Sequence, residues 1–180
     1  MEFQQSQTYQ NLQNAFEREL MLSALFSIYS DISRRDGYQQ IGDIYDVFSR
    51  NNKEHARIWL RRLNEGTLPD TAQVLAMSSE AETYNGTQLY REYSRIAREE
   101  GYTDIESLFN GVGNIDLNHG LQLETQYDNV VRNTVFCKEQ PTLWICMQCG
   151  NLLNGECAPE ICPVCGFPQG FYRLYGVDPL

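Results

Sequence analysis

Ser49-Arg50-Asn51-Asn52-Lys53-Glu54-His55-Ala56 (SRNNKEHA) places an amide and an imidazole inside a helical pattern where apolar side chains are due. Upstream, Ile41, Ile44, Tyr45 and Phe48 recur at spacings of three and four, and Trp59 resumes the series downstream. Asn52 and His55 fall on that same face, because residues three apart are neighbours on a helix. A helix that buries this face must supply both side chains with polar company.

Three further amphipathic segments carry the same interruption. The first spans about 9–35, with Leu12, Phe16, Glu19, Ser23, Phe26 and Tyr29 on one face and Gly37 as its stop. The segment already described spans about 38–64. The third spans about 71–100, with Leu75, Ser78, Glu82, Asn85, Leu89, Tyr93 and Ile96; Asp70 or Thr71 caps it and Gly101 ends it. The fourth spans about 103–133, with Ile105, Phe109, Val112, Asp116, His119, Leu123, Tyr127 and Val130. These spacings predict the buried seam of an all-α four-helix bundle. Glu19 stands alone on its helix; Asn52/His55, Glu82/Asn85 and Asp116/His119 are pairs three apart. The 2 histidines of the chain both lie in such pairs. Burying unpaired carboxylates costs several kcal/mol each, roughly, and a metal ion offsets that cost. Carboxylate oxygen and imidazole suit iron, manganese or zinc. A buried hydrogen-bond network or a wet cavity is the alternative.

The C-terminal residues change character. All 6 cysteines fall at or after Cys137, where prolines and glycines also gather. The shift places a domain boundary near Cys137–Pro141, dividing a helical domain over 1–136 from a cysteine domain over 141–180. Cys146-x-x-Cys149 and Cys162-x-x-Cys165 have the form of two metal-binding knuckles, in which four thiolates meet one tetrahedral ion. Gly150 and Gly166 follow them, where the backbone turns through positive φ. Iron and zinc both accept this ligand set. Trp144, Phe167, Phe171 and Tyr172 are candidates for a small core. Cys137 and Cys157 lie outside the knuckles and are expected to be ordinary thiols.

A net charge of −10 argues against nucleic acid as a partner, since phosphate binding needs a positive surface. No apolar run of about 18 residues is present, so no membrane span is expected. The N-terminal MEFQQSQTYQ lacks a basic stretch followed by an apolar one. The chain is expected in the cytoplasm.

The stretches NLQNAFERE, GYQQIGDIYDVFSRNNKEHA, YREYSRIAREEGYTDIESLF and DLNH resemble the ferritin-like domain of rubrerythrins. LWICMQCG and APEICPVCGFPQ resemble the small rubredoxin-like β/loop module at the C-terminus of that family. The resemblance implies a two-iron centre between the helices. Its ligands come from a Glu on the first helix, Glu-x-x-His on the second, Glu-x-x-Glu on the third and Glu-x-x-His on the fourth. Glu19, His55, Glu82 and His119 match that set, and Asp116 replaces a Glu. Asn52 and Asn85 depart outright, each standing where the family has a carboxylate. Only Glu19, Glu82 and Asp116 then remain as acids, which implies one ion, two weakly held ions, or none in the bundle. The cysteine centre is expected to hold iron, with zinc as the alternative.

The linker between the second and third helices, about Glu65–Asp70, reaches about 20 Å when extended. A crossover along a bundle of such helices needs about 35–40 Å. Frayed helix ends or exchange of helical hairpins between two chains would resolve the mismatch, and a homodimer with exchanged helical hairpins is expected. The resemblance implies electron transfer from the cysteine iron to the bundle metals and reduction of hydrogen peroxide, with a redox protein as donor. Tyr84 and Tyr90 are candidates to assist, and Phe26 stands where the family commonly has Tyr. Two other readings stay open: a non-catalytic electron-transfer or metal-binding protein with a degenerate bundle site, and a zinc-ribbon adaptor.

Overall fold

Ser6 opens the first long helix by accepting a hydrogen bond from the Tyr9 amide at 3.1 Å. In the computed structural model, which describes residues 2–176, this helix is α1 (Gln7–Arg35), and α2 (Gln39–Leu63) returns beside it. The chain divides at Pro69/Asp70 into two compact units.

In the first unit, α1 and α2 meet through small residues. Ser30 is fully buried and its hydroxyl donates to the Gly42 carbonyl at 3.0 Å. Ser23 and Ser49 each donate to the other's carbonyl, at 2.9 and 2.8 Å. Ala56 is buried on the same seam. Arg34 ties the helices electrostatically, reaching Asp43 at 2.7 Å and Asp46 at 2.6 Å. An aromatic group of Phe26, Tyr29, Tyr45 and Phe48 lies beside this seam.

The second unit begins with α3 (Thr71–Tyr84), opened by a capping box between Asp70 and Gln73. A π-helical turn, Asn85–Leu89, interrupts the helix before α4 (Tyr90–Glu99) continues it. The predicted third helix is therefore continuous but rephased in its middle. α5 (Thr103–Val131) packs along all three segments. Glycine sets how closely: a Cβ built on Gly86 would stand 2.6 Å from the Gly113 carbonyl oxygen. One on Gly120 would stand 2.5 Å from the Thr83 hydroxyl. The Ser79 hydroxyl donates to the Gly120 carbonyl at 3.0 Å.

The large apolar residues behave differently from expectation. Ile41, Ile44, Phe48, Val112 and Ile96 were expected in a buried seam, yet all are exposed in the single chain. The reason is geometric. Serine, glycine and alanine allow the closest backbone approach and take the hairpin seam, so the bulky apolar rows turn to an adjoining face.

The cysteine region forms a three-stranded antiparallel sheet of order β2-β1-β3, with β1 (Cys137–Cys146), β2 (Leu152–Cys157) and β3 (Tyr172–Leu174). Trp144, Cys146, Ala158, Cys162 and Tyr172 are its buried core, with Phe136, Leu153 and Leu174 packed against it. Trp144 is 1% exposed and donates its indole N–H to the Gly155 carbonyl at 3.0 Å. Of the four aromatics proposed from sequence, Phe167 and Phe171 lie outside this core. They stack edge to face on each other, with centroids 4.8 Å apart.

Cys137 and Cys157 are not ordinary thiols in the structure: they form a disulfide. They are paired residues across β1 and β2, which brings their Cα atoms to 4.0 Å. That proximity comes from strand register, which sequence spacing does not display. Among the described residues no helix is long and apolar enough to cross a membrane.

Candidate metal centre

The two knuckles meet as their spacing predicts. The ligand atoms of Cys146, Cys149, Cys162 and Cys165 all lie within 4.8 Å of one another. Cys146 Sγ–Cys165 Sγ and Cys149 Sγ–Cys162 Sγ are each 3.7 Å. Four sulfurs about 2.3 Å from a central ion form a tetrahedron with edges of about 3.8 Å, so the sulfurs already stand where an ion needs them. Local backbone explains how. β1 delivers Cys146, and Gly150 turns at φ 76° with its N–H donating back to the Cys146 carbonyl at 2.8 Å. Gly166 repeats the device at φ 73°, its N–H donating to the Cys162 carbonyl at 2.9 Å. Cys146 and Cys162 are buried, whereas Cys149 is exposed, so the tetrad has a dry side and a wet edge.

The protein tunes these sulfurs unequally. The Tyr172 hydroxyl is the largest influence on Cys162 and, with the Cys165 and Val164 amides, outweighs burial to hold that thiol down to about 6. Cys165 receives the Phe167 amide, but burial and the neighbouring sulfurs outweigh it and push the thiol up to about 12. Cys149 is likewise raised despite the Asn151 amide. Burial first, then Cys162, pushes Tyr172 up to about 12. The buried Tyr172 hydroxyl faces both the Cys162 sulfur and the Asn151 side chain. Sequence reading placed Tyr172 in the core and missed its polar end; its signal was a tyrosine in a segment read only for aromatic bulk.

The helical candidates assemble in two sets. In the first unit His55 Nδ1 is 3.3 Å from Glu19 Oε2. Asn52 is half-buried one helical turn before His55. In the second unit Glu82, Asp116 and His119 converge, with ligand atoms within 4.8 Å of one another. His119 Nδ1 is 3.8 Å from Glu82 Oε2, beyond hydrogen-bond reach. That Glu82 oxygen is buried and has no hydrogen-bond partner. An orphaned carboxylate oxygen beside a second acid and an imidazole fits a cation, which would satisfy it. Asn85 opens the π-helical turn immediately after this cluster and is half-buried. π-turns concentrate at functional sites, because the added residue changes which side chains face inward. Of the candidate aromatics, Tyr84 is exposed and Tyr90 packs against Tyr93 and Phe109.

Comparison with known proteins agrees with both parts. The family profile described as Rubrerythrin matches residues 10–127, and that described as Rubrerythrin, rubredoxin-like domain, matches 144–173. Rubrerythrin of Nitratidesulfovibrio vulgaris is 30% identical over 96% of this chain and 96% of its own length. Rubrerythrin-1 of Clostridium acetobutylicum is 27% identical over 94% of each. A solved structure of nigerythrin in a mixed-valence state covers 94% of this chain and 87% of its own, at 20% identity and a TM-score of 0.36. With 10–127 of the helical part and 144–173 of the cysteine module matched, the chain belongs to the rubrerythrin family.

Proposed function

We propose that the chain is a rubrerythrin-type non-haem iron protein that carries electrons from an iron at Cys146, Cys149, Cys162 and Cys165 to a metal centre in the helices, where hydrogen peroxide is reduced to water. The observation that carries the reading is the cysteine tetrad, with sulfurs 3.7 Å apart in two pairs, on a chain that also gathers Glu82, Asp116 and His119. Iron bound at these residues supplies one-electron redox chemistry. The chain's own groups do the rest. Amides of Asn151, Val164, Cys165 and Phe167 face the sulfurs and offset thiolate charge. The exposed Cys149 edge gives a redox donor protein its approach. His55 and His119, each beside a carboxylate, offer imidazole nitrogens to that metal centre.

In this reading Glu19 and His55 join Glu82, Asp116 and His119 as ligands of one centre when helical hairpins of two chains pair in a cytoplasmic homodimer. Support comes from the exposed apolar rows on each hairpin. Light scattering tests it: mass at twice the 20.8 kDa chain is expected, and a monomer would sink it.

Asn52 and Asn85 favour a second reading, a metal-binding or electron-transfer protein whose helical centre is degenerate. Neutral amides leave fewer anions to balance two cations. Spectra and metal analysis of the purified chain, followed by peroxide consumption with a reductant, separate the readings. Ferric thiolate colour with peroxide turnover supports the first. Colour without turnover supports the second. A colourless zinc-loaded tetrad removes electron transfer from both readings and favours a zinc-ribbon adaptor.

A further inference from the structure

Cys137 and Cys157 belong to neither candidate centre. Their disulfide joins paired positions of β1 and β2 where the ladder is otherwise incomplete: register lapses after Cys137 and resumes only at Thr142–Gly155. The Ala158 N–H also ties that end, donating to the Phe136 carbonyl at 2.8 Å. The ring closed by the disulfide runs from residue 137 to 157, so it contains the whole first knuckle, Cys146 through Gly150. Cys157 is exposed and Cys137 half-buried, so small oxidants and reductants reach the pair more readily than buried Cys146 and Cys162.

We propose that Cys137–Cys157 is a reversible thiol–disulfide site, oxidised by hydrogen peroxide, that sets how firmly the first knuckle retains its ion. The Cys157 thiolate attacks one peroxide oxygen; the O–O bond breaks and hydroxide leaves, taking a proton to become water. The Cys137 thiolate then attacks the sulfenic sulfur; the S–O bond breaks and a second water departs. The two sulfurs lose two electrons and peroxide gains them. A dithiol reductant returns two electrons and two protons. The closed ring limits how far β1 and β2, which flank the first knuckle, can separate when it opens, which slows loss of the ion.

The choice of oxidant rests on the peroxide reading above, but the thiol chemistry does not require turnover at the helical centre. The metal-loaded full chain is reduced with dithiothreitol, freed of it and given one equivalent of hydrogen peroxide. Intact mass and peptide mapping are expected to show a loss of about 2 Da confined to this pair. Transfer of the bound metal to a chelator is expected to be at least about threefold slower from the oxidised than from the reduced wild-type chain. The Cys137→Ser/Cys157→Ser chain is expected to release at the reduced rate under both conditions. Equal release rates from the two wild-type states, or no oxidation of the pair by peroxide, overturns the proposal. The wild-type comparison holds even if the double variant folds poorly. A pair that cycles in a chain without peroxidase turnover counts against the earlier reading alone.

Discussion

At the residue scale, charge decides most of what can be tested. Arg34 reaches both Asp43 and Asp46, and it holds Asp46 below its ordinary value of 3.8, chiefly through their hydrogen bond with help from Ser30. A depressed carboxylate contributes stability above its unfolded pKa and loses it as pH falls through the folded one. Thermal melts from pH 6 to pH 2 should therefore show the wild type more stable than Arg34→Met near neutrality, with the gap closing below about pH 4. Because Asp46 is half exposed, added salt should shrink that gap too. Asn52 and Asn85 raise the opposite question, of charge withheld. Restoring acids in Asn52→Glu/Asn85→Glu should raise metal affinity at the helical centre by about tenfold or more, read as ion retained after desalting and chelator competition. Unchanged retention would mean that these amides do not limit binding.

At the level of elements, the cysteine knuckles and helix starts were legible because each rests on a local rule. C-x-x-C followed by glycine, and Asp70 three residues before Gln73, carry their geometry within a few positions. The hairpin seams were not legible. Ser30, Gly42, Gly86 and Gly120 give no hydropathy signal, and what recommends them is a backbone approach visible only once the helices are placed. The Cys137–Cys157 bond stayed hidden for a related reason, since it follows from the register of two strands. The π-turn at Asn85–Leu89 escaped because apolar spacing tolerates one extra residue in a long helix. Gly86→Ala probes the seam directly. Its methyl would stand 2.6–2.7 Å from the Gly113 oxygen and from Leu117 backbone and Cβ atoms, with no flexible side-chain end to yield. A loss of about 1–3 kcal/mol is expected from denaturant unfolding. A neutral result would show that the π-turn and α5 separate there at little cost.

For the molecule as a whole, the acid and imidazole positions were readable from sequence alone as polar breaks in apolar rows, and the structure gathers them within each unit. How the rows are covered was not readable, because the hairpins close on their small residues first. Ile28, Ile44 and Ile58 in one hairpin, and Met77, Leu108 and Ile115 in the other, face outward. If pairing of chains covers them, unfolding couples to dissociation, and the melting midpoint should climb as protein concentration rises over two decades, by roughly several degrees. A midpoint independent of concentration would mean that the outward rows need no cover. Were the chains so paired, dilution would act as a denaturant. The cell's output of the polypeptide would then govern how much of it persists as well as how much is made, and scarcity would become a form of damage.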